Sequence, residues 1–412
     1  MVSTFDLAGG ASRSAYRLHQ GLQHIGIDSR MLVQRKDSQD PTVMGPNGKM
    51  NKWLSLVRPD LDAVPFKFYR HREASTWGCA WLPYNLASHV NRLKADLVNL
   101  HWIFQGFIPV SALSRLKQPV VWTIHDCCAF TGGCHYPFDC EGYKKACGHC
   151  PQLGSDSDHD LSRRIWLRKF RRWKDLDLVV VSPSRWLAQC ARNSSLFKDR
   201  HIEVIPYCLD LTRYKPVKQE IARELLGLPH DKKLILFGAN QAMQDPRKGF
   251  HYLQSALQNL SREGWQEKAE LLVFGEAQIS KPPETGLKTR VLGWLHDDVS
   301  LSLAYAAADV YVCPSLQDNL PNAVIEASAC GTPTLAFQIG GLPDLIEHLQ
   351  TGFLARPFES DDLARGLHYL LSDEQTRKAM GLAARAKTER EFEPFRVAGQ
   401  YAKLFEDTLR AV

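Results

Sequence analysis

The apolar residues of this chain fall mostly in short unbroken runs. Residues 120–124, 178–181, 234–237, 271–274 and 310–313 are each four or five residues long and rich in β-branched and aromatic side chains. Runs of this length mark strands buried on both faces, as in a parallel sheet. Further strands are read at 1–5, 29–33, 95–102, 202–206, 289–295 and 334–337. Between them the spacing changes to that of helices, at 11–21, 161–174, 219–226, from 250, and at 301–308, 322–330, 361–371, 373–387 and 393–411. Strand–helix alternation over 412 residues predicts an α/β chain of two or three domains. Residues 37–80 interrupt it. They are polar and contain proline, yet carry Trp53, Phe66, Phe68, Tyr69 and Trp77. They read as an irregular or partly helical insertion, a surface elaboration or else an acceptor-binding segment.

Composition narrows the class. An apolar fraction of 44% is that of a globular protein, and no run of about 18 apolar residues predicts a membrane span. The first residues lack the basic and apolar regions of a signal peptide. With eleven cysteines, the expectation is a reducing, cytoplasmic setting. Residues 1–210 hold 28 Lys and Arg against 19 Asp and Glu, and residues 211–412 hold 23 against 26. The basic first half suits an acidic partner. The segment 161–174 concentrates this charge around Trp166, Phe170 and Trp173. It reads as a surface helix packing its aromatics, or as a helix docked on the anionic inner face of the plasma membrane. No nucleic-acid module accompanies it.

Candidate chemistry sits where strands give way to helices, the position at which open α/β sheets bind ligands. After the strand at 309–313, Pro314, Ser315 and Pro321 make a loop, and a helix runs from Asn322. Asp318 lies in the loop, followed by Asn319 and Leu320, and Glu326 lies one turn into the helix. Arg247 and Lys248 stand before the helix from Phe250, where the helix dipole disfavours cations unless an anion arrives. Gly9 and Gly10 link the first strand to its helix and let backbone amides approach a bound group. His101 and His125 each end a strand. A lone His there reads first as a satisfied core group, and the pair His125-Asp126 is the better placed. Finally, six of the eleven cysteines fall within 127–150. Cys134, Cys140, Cys147 and Cys150 offer four soft ligands, the last two with CxxC spacing. A structural metal such as zinc, disulfides and free thiols are the three readings.

The stretch from Cys313 to Pro333, with Gly340-Gly341 and Thr351-Gly352-Phe353 after it, resembles the retaining glycosyltransferases of family 4. Asp318 stands where that family usually has Glu, and Ala239 and Ala242 occupy the region of its usual Arg. The Cys-rich loop is similar to that of the colanic-acid and exopolysaccharide branch. The resemblance implies a GT-B fold: two Rossmann-like domains facing a central cleft, here 1–205 on the acceptor side and 206–390 for the nucleotide sugar, with helix 391–412 crossing back. It implies transfer of a sugar from a nucleoside diphosphate (UDP or GDP) to a saccharide or lipid-linked acceptor, without a catalytic cofactor. Lys248, Arg247 and the amides near Asn319 and Leu320 would hold the diphosphate, with Gly9 and Gly10 opposite. Glu326 would take the ribose, Asp318 and His125 the sugar, and Trp294 and Leu295 the base. A sugar-nucleotide epimerase and an inactive carbohydrate-binding scaffold are the alternatives.

Overall fold

The computed structural model describes the chain except residues 74, 239–242, 276–282, 296 and 412. Ala239 and Ala242 therefore lie outside the described residues. The chain forms two compact units, one of Met1–Cys208 with Phe395–Val412 and one of Leu209–Pro394.

In the first unit the strands are β1 (Val2–Phe5), β2 (Met31–Arg35), β3 (Val43–Met44), β4 (Val98–Leu100), β5 (Val120–Thr123), β6 (Leu178–Ser182) and β7 (His201–Val204). They form one parallel sheet in the order β3-β2-β1-β4-β5-β6-β7. All four residues of β5 are buried, which is why that run carries no polar alternation. The helix Pro394–Arg410 places Val397, Ala398 and Tyr401 in one apolar cluster with Leu18, Leu22, Val121 and Val181 of the same unit.

The second unit has β8 (Lys233–Gly238), β9 (Ala269–Phe274), β10 (Lys288–Gly293), β11 (Val310–Cys313), β12 (Thr334–Phe337) and β13 (Gly352–Ala355). Its parallel sheet is ordered β10-β9-β8-β11-β12-β13. Both sheets are doubly wound. The strand order reverses between β1 and β4 in the first, and between β8 and β11 in the second. Those two switch points are where such sheets leave a crevice at the strands' C-terminal ends.

The expected strands and helices are present, mostly one to three residues shorter or longer at their ends. The insertion is more regular than its polarity suggested. It holds β3, a helix at Lys49–Asp62 and a turn of helix at Val64–Lys67. The basic helix is Leu161–Trp173, and it buries two of its three aromatics, Trp166 and Trp173, together with Ile165, leaving Phe170 exposed. Lys169 is buried with them, donating from Nζ to the carbonyls of Cys128 and Thr131 and lying over the Trp173 ring. This charge lies inside the fold, where burial lowers its pKa. No helix among the described residues is long and apolar enough to cross a membrane.

Candidate functional site

In the second unit, the loops after β8 and β11 meet at the switch point. Asp245 caps a short turn, accepting from Arg247 N at 3.0 Å, and Arg247 O accepts from Leu316 N at 2.7 Å. Gly249 closes the turn at φ 68°, and a Cβ there would stand 1.9 Å from Pro314 O. Only glycine lets the two loops come this close. Gly340 is similar: a Cβ would reach 2.1 Å from Asp318 O.

This packing brings three expected residues together. Lys248 Nζ lies 2.8 Å from Asp318 Oδ2, and Arg247 Nη1 lies 3.2 Å from the same oxygen. Ser315 Oγ donates to Oδ2 at 3.3 Å and Asn319 N to Oδ1 at 3.1 Å. Burial alone would raise the Asp318 pKa, but Lys248 and then Arg247 outweigh it and hold the carboxyl at about 2. Asp318 is thus an ionised group over which two cations are already gathered. Such a pair of cations, with the helix Asn322–Ala329 starting beside it, suits a phosphate. Leu320 and Asn319 are buried in the same loop. Glu326, buried in that helix, accepts from Tyr305 OH at 3.2 Å. Trp294 is exposed and Leu295 half-buried just after β10.

In the first unit, Gly9 caps the helix Gly10–His24 with φ 82°, and a Cβ there would meet nothing within 4 Å. Positive φ is therefore the reason for glycine at this position. The strand-end histidines form a chain. Asn99 Oδ1 meets His101 Nε2 at 2.7 Å, His101 Nδ1 meets His125 Nε2 at 3.1 Å, and His125 Nδ1 meets Tyr207 OH at 2.8 Å. The proton positions follow from its first member. Asn99 Nδ2 donates to Val121 O and Thr123 Oγ1, so Oδ1 must accept and His101 carries its proton on Nε2. Neutral His101 then accepts at Nδ1, His125 donates from Nε2, and Tyr207 donates to His125 Nδ1. Burial enforces neutrality: it drives His125 down to about 4, and it drives His101, facing another imidazole, well below the usual range. Both ring nitrogens of His125 are taken, so a hydrogen bond from this ring to a sugar requires one of these partners to let go. Sequence reading singled out His125 but not His101 or Tyr207; two histidines ending adjacent strands were the available signal.

Asp126 turns the other way. Its Oδ2 lies 2.6 Å from His135 Nδ1 and accepts from Trp102 Nε1 at 2.9 Å, and its Oδ1 caps Cys128 N at 2.8 Å. Burial would lower His135, but Asp126 and Cys128 outweigh it and raise it to about 10. Asp126, Cys128 and His135 form the group of potential metal ligands that the fold gathers, with one atom from each lying within 4.8 Å of the others. The four expected cysteines are not gathered in that way among the described residues. Cys134 and Cys150 pack with Phe66, Trp77, Cys79, Leu153, Leu161 and Ile165. Burial pushes the thiols of Cys147 and Cys150 up to about 12 and 11, and all eleven cysteines are free thiols. Backbone bonds such as Cys147 N to Gly142 O and Cys140 N to Pro137 O hold the loop's turns.

Two parallel-sheet units, the second with a cation pair at its strand switch point, define the class, a doubly wound α/β protein. Comparison with known proteins gives the family. Residues 8–213 match the model described as Glycosyltransferase Family 4, and residues 218–387 match Glycosyl transferases group 1. The chain is 31% identical over 393 residues to a D-inositol 3-phosphate glycosyltransferase of Rhodococcus opacus, covering 92% of this chain and 81% of the relative. It is 42% identical over 353 residues to sulfoquinovosyl transferase SQD2 of Arabidopsis thaliana, covering 80% and 62%. Among solved structures, Anabaena HepE in complex with UDP-glucose has the same fold, with a TM-score of 0.64 at 16% identity over 100% of this chain and 99% of that one. The chain belongs to the group 1 and family 4 glycosyltransferases; it is a GT-B-type transferase that uses a sugar donor.

Proposed function

We propose that this enzyme transfers a sugar, with retention of anomeric configuration, from a nucleoside diphosphate sugar to a saccharide or lipid-linked acceptor in bacterial polysaccharide biosynthesis, in the colanic-acid and exopolysaccharide branch. UDP is the preferred nucleotide; support comes from the neighbouring structure described with UDP-glucose. The observation that carries the reading is the pairing of Lys248 and Arg247 over Asp318.

As the bond from C1 to the diphosphate oxygen breaks, negative charge gathers on the leaving group. Lys248 and Arg247, already drawn together by Asp318, and the amides of Asn319 and Leu320 stabilise it by exchanging the carboxylate for the diphosphate. Glu326 takes the ribose and Asp318 borders the sugar, with the base near Trp294 and Leu295. The acceptor oxygen bonds to C1 on the face the leaving group vacates, and its proton passes to the departing phosphate oxygen. No metal enters this scheme.

The test is Lys248→Ala assayed with sugar nucleotides. The expected loss in kcat/KM is at least about tenfold, equivalent to about 1.4 kcal/mol. Turnover near that of the wild type refutes the assignment. NMR of the product's anomeric proton reads retention directly.

A further inference from the structure

The helix Lys49–Asp62 is built inside out. Its buried residues are Ser55 and Asp62, and its fastenings to the first unit are polar. Arg58 Nε donates to Gly106 O at 2.6 Å and Nη2 to Pro83 O at 3.0 Å. The Asp62 carboxylate accepts from Cys79 N at 3.2 Å, and Asp62 O accepts from Trp81 Nε1 at 3.2 Å. The large apolar residues point away. Met50 is 77% exposed, Trp53 61% and Leu56 60%, and Phe68, just past the turn Val64–Lys67, is 82% exposed. A surface helix of a globular protein normally has the reverse polarity.

The surroundings say what meets this face. Lys49 and Lys52 occupy its first turn, which contains no acid, although a helix N-terminus disfavours cations. Beside the helix lies an open groove of about 1110 Å³ whose lining includes Arg35, Lys36, Lys52, Arg58 and Arg92 and no Asp or Glu. Arg35 pairs with Asp37 outside it, and Lys36 and Arg58 are tied to backbone carbonyls, so Lys52 and Arg92 are its cations for a lipid phosphate. Arg70 and Arg72 are exposed next to Phe68. An apolar ridge of Trp, Met, Leu and Phe flanked by cations is the composition of a helix that lies in a membrane interface. A second copy of this chain fits less well, since a two-fold contact sets each patch against itself and would bring these cations face to face.

We propose that the outer face of Lys49–Asp62, with Phe68, docks on an anionic lipid bilayer, its apolar side chains entering the acyl boundary and its cationic groove taking lipid phosphates. The helix Leu161–Trp173 leaves Phe170 as its one exposed aromatic, whereas the insertion exposes Trp53 and Phe68 together, so docking is assigned to the insertion. The inference stands apart from the transfer reaction, because vesicle binding is measured without donor or acceptor.

The experiment is co-sedimentation of the full chain with phosphatidylcholine vesicles and with vesicles containing about 30% phosphatidylglycerol. Binding is expected to the anionic vesicles, at least about tenfold weaker on neutral ones, and to fall steeply with added salt. The double variant Trp53→Ser/Phe68→Ser should lose binding about tenfold while keeping its fold, since both side chains are exposed. Phe170→Ser, on the other basic helix, should bind like the wild type. Equal binding by the double variant, no binding to anionic vesicles, or a dimer in sedimentation velocity that the double variant abolishes would each overturn the proposal.

Discussion

Two aspartates bracket the same strand. Asp309 precedes β11 and Asp318 follows it. Each is buried and each gathers cations: Asp309 holds Arg223 at 2.8 Å and Arg377 at 2.9 Å, with Lys233 farther off at 3.9 Å, and Asp318 holds Lys248 at 2.8 Å and Arg247 at 3.2 Å. They differ in what surrounds the nearest cations. The side chains of Arg223 and Arg377 are 5% and 6% exposed and only the distant Lys233 reaches solvent, at 32%, whereas Lys248 and Arg247, in direct contact with Asp318, are 18% and 19% exposed. They differ also in strand end, since ligands in parallel sheets bind at the C-terminal edge. A sealed cluster can only hold the fold. A cluster with open cations at the right edge can exchange its carboxylate for a ligand. Charge pairing therefore does not mark a site by itself; access and strand polarity do.

Separating the two roles is the sharpest test. Asp309→Asn strands two buried guanidinium groups and should cost about 4 kcal/mol of stability in denaturant unfolding, leaving the surviving folded enzyme's KM for donor unchanged. Asp318→Asn should cost less, about 2 kcal/mol, and should change donor kinetics. If Asp309→Asn alters donor KM, or if Asp318→Asn changes neither quantity, the distinction fails. The Asp318 contribution also has a pH window. Its folded pKa is depressed to about 2, below the unfolded carboxyl value of about 3.9. The unfolded state then binds more protons between those values, so this stability is present above pH ~4 and is lost as pH falls through the window.

The smallest expected effect concerns the first unit. His125 and His135 are ten residues apart in sequence and shift in opposite directions, to about 4 and about 10. Nitrogen-detected NMR of labelled imidazoles should find His125 neutral with its proton on Nε2 and His135 doubly protonated at pH 7. The sign differs accordingly. His125 contributes stability that is lost as pH falls from about 6.5 toward 4, and His135 contributes stability that is lost as pH rises from about 6.5 toward 10. His101→Ala leaves the His125 N–H without its acceptor, costing about 1–3 kcal/mol. Unchanged stability in that variant would break the proposed chain of donors.

Much of this was legible in the chain itself. Buried parallel strands announce themselves as unbroken apolar runs, and β8 and β12 lie where those runs do. The strand β13 and the helix Leu86–Leu93 are four and eight residues long, too short to stand out among the longer elements. The basic helix was legible as one that packs aromatics, and Trp166 and Trp173 do so; what its pattern hid is Lys169, a surface residue by type and a core residue by position. The insertion was read as an irregular or partly helical surface elaboration, and Trp53 and Phe68 are exposed on it.

The residue pattern alone determined the α/β class, the strand-to-helix loops that carry Lys248 and Asp318, and the need for glycine at tight turns, because these depend on local spacing and backbone freedom. Only tertiary structure decided which protons His101 and His125 carry, which aspartate is sealed and which stands open, and which cationic helix faces outward. Most of the partners that set those properties lie tens of residues distant, and no local pattern records their approach.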